Sequence, residues 1–310
     1  MLPANGASRD YQLCPPQEGF DIAVQVSAGG GYVMTATVHR SLLLPGVRER
    51  DLRPARDGLY GDWYTPPAAT AASAGIVVIG GAEGGLNPIE SALLAGHGYR
   101  VLSLAYFGEP GLPATLQRIP LEYFERAVQW VQAQPGVLPH DVDLIGTSRG
   151  AEAALLVASH FPSLLHIVIA RVPSDVALCG FASYFHCGGA AWTLHDAALP
   201  YTSQFNTPHP SDDPAAVIPV QPIHIPLLLV CAGQDTVWPS CPYAGAIVAA
   251  MSGVHPAATL LTYAAAGHGI GFPVPWLPGY SAEQGGSSSA DAAARIDLWP
   301  RELAFLSATV

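Results

Sequence analysis

The sequence predicts an α/β fold with a mostly parallel central sheet and helices on both faces. Short runs rich in Val, Ile and Leu end in glycine or in a polar loop, as strands buried on both faces of a parallel sheet do. Stretches with apolar residues spaced by three and four follow these runs. The two kinds of segment alternate along the chain, which is the pattern of repeated βα units.

The elements follow in order along the chain. The predicted strands occupy residues 76–79, 101–105, 142–145, 165–170, 227–232 and 259–263, after a strand-like run at 59–64. The predicted helices occupy residues 88–97, 121–132, 149–160, 240–251 and 291–307. In such a sheet, catalytic groups lie on the loops that leave the carboxyl ends of the strands.

Two segments depart from this alternation. Residues 1–57 alternate only weakly and end in an Arg/Asp-rich stretch, 48–57, which is typical of a surface connector. We therefore expect a short strand-rich N-terminal segment before a catalytic domain at 58–310. A long stretch without a clear period, about 173–225, interrupts the later strands. A loop of that length inside a compact domain is usually a lid or a binding segment.

Composition and charge exclude several classes of function. The chain has a formal net charge of −11, and all 13 of its basic residues are arginine. The lack of lysine excludes Schiff-base, pyridoxal-phosphate and Walker-type sites, and the acidic balance argues against nucleic-acid binding. No apolar run reaches the roughly 18 residues of a membrane span, and the first 20 residues resemble no secretory signal. We expect a cytoplasmic protein.

The cysteines predict neither a disulfide framework nor a metal site. They are odd in number and lack any Cys-x-x-Cys spacing: Cys14, Cys179, Cys187, Cys231 and Cys241. In a cytosolic chain this pattern indicates free thiols. A zinc site made of Cys187, His186 and His195 would lack a fourth ligand at a recognisable spacing. We expect no metal and no cofactor.

Residues 142–152 contain the strongest catalytic signal. An apolar run leads through Gly146-Thr147-Ser148-Arg149-Gly150 into an Ala/Leu-rich helix. Gly-x-Ser-x-Gly between strand and helix is the context of a nucleophile elbow, although the pentapeptide also arises by chance in a chain with 32 glycines. Ser148 is the candidate nucleophile. The N–H of Arg149, at the helix N-terminus, is a candidate oxyanion donor.

An activated serine needs a base and an acid that orients the base. Among 11 histidines, His268 directly follows a late apolar strand and is flanked by glycines, so it is the candidate base. Asp235, on the loop after the preceding strand, is the candidate acid. Asp175 is its rival, because an acid from one strand earlier could also reach the same imidazole.

Two further groups of residues are candidate substrate contacts. Ala82 and Glu83 follow the first buried strand in a glycine-rich loop, where a second oxyanion N–H is expected. The long stretch holds several aromatic residues, of which Phe181, Tyr184 and Trp192 are candidate substrate contacts. These aromatics could equally pack a cap onto the sheet.

Further motifs accompany the elbow and His268 in a fixed order: 80–85 (GGAEGG), 105–107 (AYF), 119–125 (IPLEYFE), 191–193 (AWT) and 238–240 (WPS). Together, from about residue 58 to 306, they resemble the C-terminal catalytic domain of the acyl-CoA thioesterase and bile-acid-CoA:amino-acid N-acyltransferase family. That family is an α/β-hydrolase branch close to dienelactone hydrolases. The resemblance implies an α/β-hydrolase fold with Ser148 as nucleophile, Asp235 as orienting acid and His268 as base.

This sequence departs from the family pattern in two places. Family members usually carry a complete β-sandwich before the catalytic domain, so the segment 1–57 looks truncated. Relatives often place two acids after the late strand, whereas this chain has Gln234-Asp235. The transferases of the family carry cysteine at the elbow and the thioesterases carry serine, so Ser148 favours water as the acyl acceptor.

The predicted function is therefore a serine hydrolase that cleaves a small-molecule acyl thioester or ester. The acyl carrier, which could be coenzyme A, a carrier protein or a simple alcohol, and the oligomeric state are left open. One alternative keeps the triad but transfers the acyl group, or eliminates a carboxylate, in specialised metabolism. The other alternative is an inactive hydrolase fold that serves as a binding module, which would be favoured if His268 were far from Ser148.

Overall fold

The computed structural model describes residues 20–28, 31–41, 43–68, 70–183, 186–271 and 282–308. Its strands are β1 (Phe20–Ala28), β2 (Tyr32–Arg40), β3 (Arg48–Leu52), β4 (Tyr60–Thr65), β5 (Ser73–Ile79), β6 (Arg100–Ala105), β7 (Ile119–Pro120), β8 (Val137–Thr147), β9 (Val168–Arg171), β10 (Cys179–Ser183), β11 (His186–Ala190), β12 (Trp192–Leu194), β13 (Ala197–Ala198), β14 (Leu227–Ala232) and β15 (Thr259–Tyr263). Its helices are α1 (Pro54–Asp57), α2 (Pro88–Gly96), α3 (Leu121–Gln132), α4 (Arg149–His160), α5 (Ser240–Ala250) and α6 (Ser288–Ala308).

An eight-stranded sheet has the order β15-β14-β9-β8-β5-β6-β4-β3. The strands from β15 to β6 are parallel, and β4 and β3 continue the sheet in antiparallel orientation at one edge. Parallel neighbours need crossover connections, and α2, α3, α4 and α5 supply them. The predicted fold class is confirmed.

Both faces of this sheet are buried, which explains the continuous apolar runs. In β5, Val77 and Ile79 belong to a core that includes side chains of α3, α4 and α5. Ile76 and Val78 point to the other face, where the core includes side chains of α2 and α6. Each fully buried side chain of this kind contributes roughly 1.5 to 3 kcal/mol to stability. The alternation along β5 thus fixes which helices cover which face.

Most predicted elements are present with small shifts in their bounds. The helices predicted at 121–132 and 149–160 and the strands predicted at 227–232 and 259–263 coincide with α3, α4, β14 and β15. The strand predicted at 142–145 is longer, because β8 begins at Val137, which pairs with Ser73 beyond an irregularity in the register. Within the described residues, no helix is long and apolar enough to cross a membrane.

The stretch 48–57 is not the surface connector that its charges indicated. It forms β3, which pairs with β4 at the edge of the central sheet, and the single-turn helix α1. An edge strand bonds to one neighbour only, so charged side chains can stay exposed while Leu52 is buried. The predicted domain boundary at residue 57 therefore falls between two strands of one sheet. Farther upstream, β1 and β2 form a two-stranded sheet of their own.

The expectation of free thiols is wrong for four of the five cysteines. Cys179 bonds to Cys187 across the β10–β11 hairpin, and Cys231 at the end of β14 bonds to Cys241 in the first turn of α5. Both pairings depend on tertiary contacts that the spacing of the cysteines does not show. Cys14 lies outside the described residues. Disulfides persist in oxidising compartments, so the cysteines no longer support a cytosolic location.

Candidate active site

The turn between β8 and α4 has the geometry of a nucleophile elbow. Ser148 has φ 57° and ψ −120°, an uncommon backbone conformation for a residue other than glycine. A Cβ atom on Gly146 would lie 2.2 Å from the carbonyl oxygen of Gly150, and one on Gly150 would lie 2.3 Å from that of Gly80. Only glycine fits at either position, which is why this turn needs both. The N–H of Ser148 donates to the carbonyl oxygen of Arg171 at 2.9 Å.

Ser148, His268 and Asp235 form one hydrogen-bonded chain. Nε2 of His268 is 2.9 Å from Oγ of Ser148, and Nδ1 of His268 is 2.8 Å from Oδ2 of Asp235. With the proton on Nδ1, the imidazole donates to the carboxylate and accepts the serine O–H. This short distance weighs against the binding-module alternative, which a distant His268 would have favoured.

The acid loop is held by its own backbone and by Trp238. Oδ1 of Asp235 accepts the N–H groups of Val237 at 3.0 Å and Trp238 at 3.3 Å. The Trp238 ring contacts the His268 ring edge to face, with centroids 5.3 Å apart, and its Nε1–H donates to the carbonyl oxygen of Val172. Oδ2 of Asp235 is therefore left for the imidazole.

Helix α6 holds the backbone on both sides of His268. The N–H of Gly267 donates to Oδ1 of Asp291 at 2.7 Å, and Arg295 donates from Nε to the carbonyl oxygen of Gly269 at 3.0 Å. Burial raises the pKa of Asp291, which the Gly267 hydrogen bond and the charge of Arg295 partly offset. Burial lowers the pKa of Arg295 to about 10. The candidate base thus sits in a loop with few free conformations.

A buried arginine connects the elbow to two helices. Nε of Arg171 lies 2.7 Å from Oε1 of Glu302 on α6, and its Nη2 lies 2.6 Å from Oε1 of Glu90 on α2. Burial raises the pKa of Glu302, and the charge of Glu90 adds to this effect, while the Arg171 guanidinium opposes it. The carbonyl oxygen of Gly271, in the His268 turn, accepts the hydroxyl hydrogen of Thr147 at 2.8 Å. Elbow and histidine turn are therefore directly linked.

The glycine-rich loop after β5 passes beside Ser148. A Cβ atom on Gly81 would be 3.4 Å from Oγ of Ser148. The carboxylate of Glu83 folds back and accepts the N–H of Gly81 at 2.9 Å. The hydroxyl of Tyr106 lies 2.9 Å from the carbonyl oxygen of Gly80. Ala82 and Glu83 thus lie in the loop where the second oxyanion donor was expected, and their role as donors stays a prediction.

The side chain of Arg149 anchors the long stretch to α4. Its Nε is 3.3 Å from Oε2 of Glu152, and its Nη2 donates to the carbonyl oxygen of Leu178. The Phe181 and Trp192 rings lie 5.6 and 5.8 Å from its guanidinium carbon. Burial raises the pKa of Glu152 and lowers that of Arg149. The N–H of Arg149, at the start of α4, stays the candidate oxyanion donor.

The three candidate substrate-contact aromatics differ in placement. Trp192 is 1% exposed and donates to Oε1 of Glu152, so it packs as a core residue with little surface for a ligand. Phe181 is part-exposed and stacks on Phe205, with centroids 6.1 Å apart. Tyr184 lies outside the described residues.

Asp175, the rival acid, is not bonded to His268. It is buried, its Oδ1 has no hydrogen-bond partner among the described residues, and burial raises its pKa to about 7. The zinc set considered from the sequence cannot form as proposed, because the Cys187 sulfur is bonded to Cys179.

Sequence reasoning did not identify Asp291, Arg295 or Arg171. A signal for the first two exists, because an acid and a base four residues apart open the predicted helix that follows His268. For Arg171, Glu302 and Glu90 the sequence separations are large, and only the fold brings the three together.

Comparisons with known proteins identify the family of this chain. The family described as BAAT / Acyl-CoA thioester hydrolase C terminal matches residues 119–310. Acyl-coenzyme A thioesterase 5 of Mus musculus is 28% identical over 307 residues, covering 92% of this chain and 72% of that protein. Acyl-coenzyme A amino acid N-acyltransferase 2 of Mus musculus is 28% identical over 280 residues, covering 84% of this chain and 66% of that protein.

The fold has solved counterparts as well. The crystal structure of a protein described as a dienelactone hydrolase from Klebsiella pneumoniae superimposes with a TM-score of 0.55 at 16% identity, covering 84% of this chain and 98% of that chain. At this identity the likeness concerns the fold alone. The fold is the α/β-hydrolase fold, similar to that of dienelactone hydrolases. Because the family model matches residues 119–310, the chain belongs to the BAAT / acyl-CoA thioester hydrolase C-terminal family.

Proposed function

We propose that this protein is a serine hydrolase that cleaves acyl thioesters, with acyl-CoA esters as the first substrate class to test. The observation that carries the proposal is the unbroken chain of hydrogen bonds from Ser148 through His268 to Asp235. Relatives named as acyl-coenzyme A thioesterases support the choice of substrate class. The absence of lysine means that arginine or backbone groups would have to bind the phosphates of coenzyme A.

The proposed reaction has two acyl-transfer steps. Nε2 of His268 takes the Ser148 proton as Oγ attacks the carbonyl carbon, and the N–H groups of Arg149 and of Ala82 or Glu83 stabilise the oxyanion. The imidazolium, oriented by Asp235, gives its proton to the leaving thiolate, which departs as the thiol. Water, deprotonated by the same imidazole, then attacks the acyl-serine; the acyl–Oγ bond breaks, the imidazolium returns its proton to Oγ of Ser148, and the acid is released.

Phosphonofluoridate labelling followed by peptide mapping tests the nucleophile. The label is expected on Ser148 in the folded protein and absent after Ser148→Ala. Label on another serine, with hydrolysis retained in Ser148→Ala, would refute the assignment. A screen of acyl-CoA chain lengths against simple aryl esters then tests the substrate class, with Ser148→Ala as the blank.

Acyl transfer to an amine is the second candidate, and the N-acyltransferase among the relatives favours it. The same triad would form the acyl-serine, and an amino group would replace water. Reaction in ¹⁸O-labelled water separates the two outcomes: hydrolysis places the label in the acid, and transfer gives an unlabelled amide. Elimination of a carboxylate in specialised metabolism would give neither product.

We further propose that residues 173–225 act as a lid over this site and that 58–310 form the catalytic unit, whose central sheet β3 extends at one edge. The Arg149–Glu152 anchor supports the first point, because it ties β10 and β12 to the nucleophile helix. The cytoplasmic location stays a prediction, and the two disulfides weigh against it. Cell fractionation with an antibody to the chain tests the location.

A further inference from the structure

Three side chains with metal-binding groups meet near the amino ends of β8 and β9. Asp141 and Asp143 lie two residues apart on β8, so both side chains project from the same face of the sheet. His166 precedes β9, and its backbone N–H donates to the carbonyl oxygen of Val142 at 2.9 Å, which brings its imidazole beside the two aspartates. We refer to these residues as the Asp141–Asp143–His166 cluster.

The spacing within the cluster fits a coordinated ion. Nδ1 of His166 is 2.9 Å from Oδ1 of Asp141 and 3.3 Å from Oδ1 of Asp143. One ligand atom from each of the three residues lies within 4.8 Å of the others. A first-row divalent ion with ligands at roughly 2.1 Å holds neighbouring ligand atoms roughly 3.0 to 3.4 Å apart, in octahedral or tetrahedral geometry.

Hydrogen bonding alone leaves part of the cluster unsatisfied. Nδ1 of His166 has hydrogen-bond geometry towards Oδ1 of Asp143, and one N–H serves one oxygen. Oδ1 of Asp141 and Oδ2 of Asp143 are buried and accept no hydrogen bond of good geometry among the described residues, although the Ile167 N–H faces the Asp143 carboxylate. The Asp143 side chain is 1% exposed, and no arginine forms a salt bridge with either aspartate in the described ranges. Buried carboxylates require a cation or donors, and one ion would serve both.

We propose that Asp141, Asp143 and His166 bind one divalent first-row metal ion of the zinc class, with water completing the coordination. Two carboxylates and an imidazole suit Zn²⁺, Co²⁺ and Mn²⁺, and no thiolate is present to select a softer ion. The His166 side chain is 28% exposed, which gives an ion access from solvent. The ion would join β8 to the segment that leads into β9.

This site is separate from the proposed acyl chemistry. Asp143 lies on β8, and Ser148 follows the end of that strand, five residues later. Five residues of strand at 3.3 Å per residue separate the two by roughly 16 Å. Metal binding and hydrolysis can therefore be measured independently. If the metal site is not found, the proposed hydrolysis is unaffected, and the reverse also holds.

Titration of the metal-stripped protein tests the proposal. The full chain is treated with EDTA, dialysed, and titrated with Zn²⁺ by calorimetry and with Co²⁺ by visible absorption. One ion per chain is expected, with a Co²⁺ absorption band. Asp143→Asn is expected to weaken Zn²⁺ binding by more than about tenfold and to abolish the band, since a lost ligand should cost at least as much as a lost outer-shell partner.

A matched control separates this site from adventitious surface histidines. His195 is exposed and lies 3.1 Å from Oε1 of Glu122, so His195→Gln removes a comparable pair elsewhere and should leave binding unchanged. If circular dichroism shows that Asp143→Asn does not fold, Asp141→Asn replaces it under the same criteria. Absence of saturable one-to-one binding in the unsubstituted chain, or unchanged affinity in the aspartate variant, overturns the proposal.

Discussion

Nε2 of His268 lies 2.9 Å from Oγ of Ser148, although the two residues are 120 positions apart in the chain. The fold alone therefore brings the candidate base within hydrogen-bonding distance of the candidate nucleophile. Asp291 accepts the N–H of Gly267 and Arg295 donates to the carbonyl oxygen of Gly269, which explains how a glycine-flanked loop can hold that geometry.

The first prediction separates the two candidate acids. Asp235→Asn favours the wrong imidazole tautomer and should lower kcat by about 10³- to 10⁴-fold. Asp175→Asn, at the rival position, should leave kcat within about threefold, because Asp175 makes no bond to His268. Steady-state hydrolysis of an aryl ester measures both. A larger loss in Asp175→Asn than in Asp235→Asn would reverse the assignment.

The second prediction concerns the charge of Glu83. Its carboxylate and Oγ of Ser148 are no more than roughly 6 Å apart, because both contact the same side of Gly81. A negative charge there opposes a developing oxyanion, so Glu83→Gln, which keeps an acceptor for the Gly81 N–H, should raise kcat by up to about tenfold. Glu83→Ala should instead lower kcat, since the loop loses that hydrogen bond. A slower Glu83→Gln enzyme would show that the carboxylate assists the reaction.

The third prediction concerns the hold of α6 on the candidate base. Asp291→Ala leaves the Gly267 N–H buried without an acceptor and should lower stability by about 1 to 3 kcal/mol. It should also lower kcat more than tenfold at nearly constant KM, since His268 loses its fixed position. Asp297→Ala, on the exposed face of the same helix, removes pairs to Arg301 and Tyr263 and serves as the control. Equal kinetics in the two variants would contradict the positioning role.

The fourth prediction is a pH dependence of stability. Burial raises the pKa of Asp175 to about 7, whereas an aspartate in an unfolded chain titrates near 3.9. Between these pH values Asp175 keeps its proton in the folded protein and loses it in the unfolded chain. The contribution of Asp175 to the free energy of unfolding therefore falls as the pH rises from about 4 to about 7. Asp175→Asn should therefore be more stable than the unsubstituted protein at pH 8, by about 2 to 4 kcal/mol, with the difference shrinking towards pH 4. Urea unfolding at several pH values measures it, and a difference that does not vary with pH would refute the account.

The fifth prediction concerns the disulfide beside the acid loop. Cys231 and Cys241 are separated by 10 positions and enclose Asp235, so their bond restricts the loop that carries the acid. Reduction should lower the free energy of unfolding by about 3 kcal/mol, as expected for a loop of this length, and should lower kcat by loosening Asp235. Mass spectrometry of alkylated protein, with and without reductant, together with thermal unfolding measures both effects. Five alkylated thiols in the native, unreduced protein would show that neither bond is present.

The sequence predicts the central sheet and the three hydrogen-bonded residues for a common reason. Runs such as 76–79 and 227–232 are buried on both faces, and Ser148 and Asp235 follow buried strands of this kind. His268 follows the edge strand β15, whose residues are exposed or half-buried. A strand and the loop after it are local features that a short window of sequence reveals. The family resemblance from the motifs around them pointed to the same residues.

The features that the sequence did not reveal depend on contacts between distant segments. The charged run of β3 resembles a connector because an edge strand needs no apolar face of its own. The disulfides, the bonds of α6 to the His268 loop and the Arg171 pairs each join residues from separate elements. Arginine, aspartate and glutamate lie far more often on an exposed surface than in a core, so their pattern alone assigns such residues to the surface.

The position of α6 in the chain has a consequence for biosynthesis. Ser148, Asp235 and His268 all leave the ribosome before the helix that carries Asp291, Arg295 and Glu302. A nascent chain can therefore contain every proposed reacting group and still lack the partners that order them. The hydrogen-bonded chain from Ser148 to Asp235 should therefore become ordered only after α6 has left the ribosome and docked.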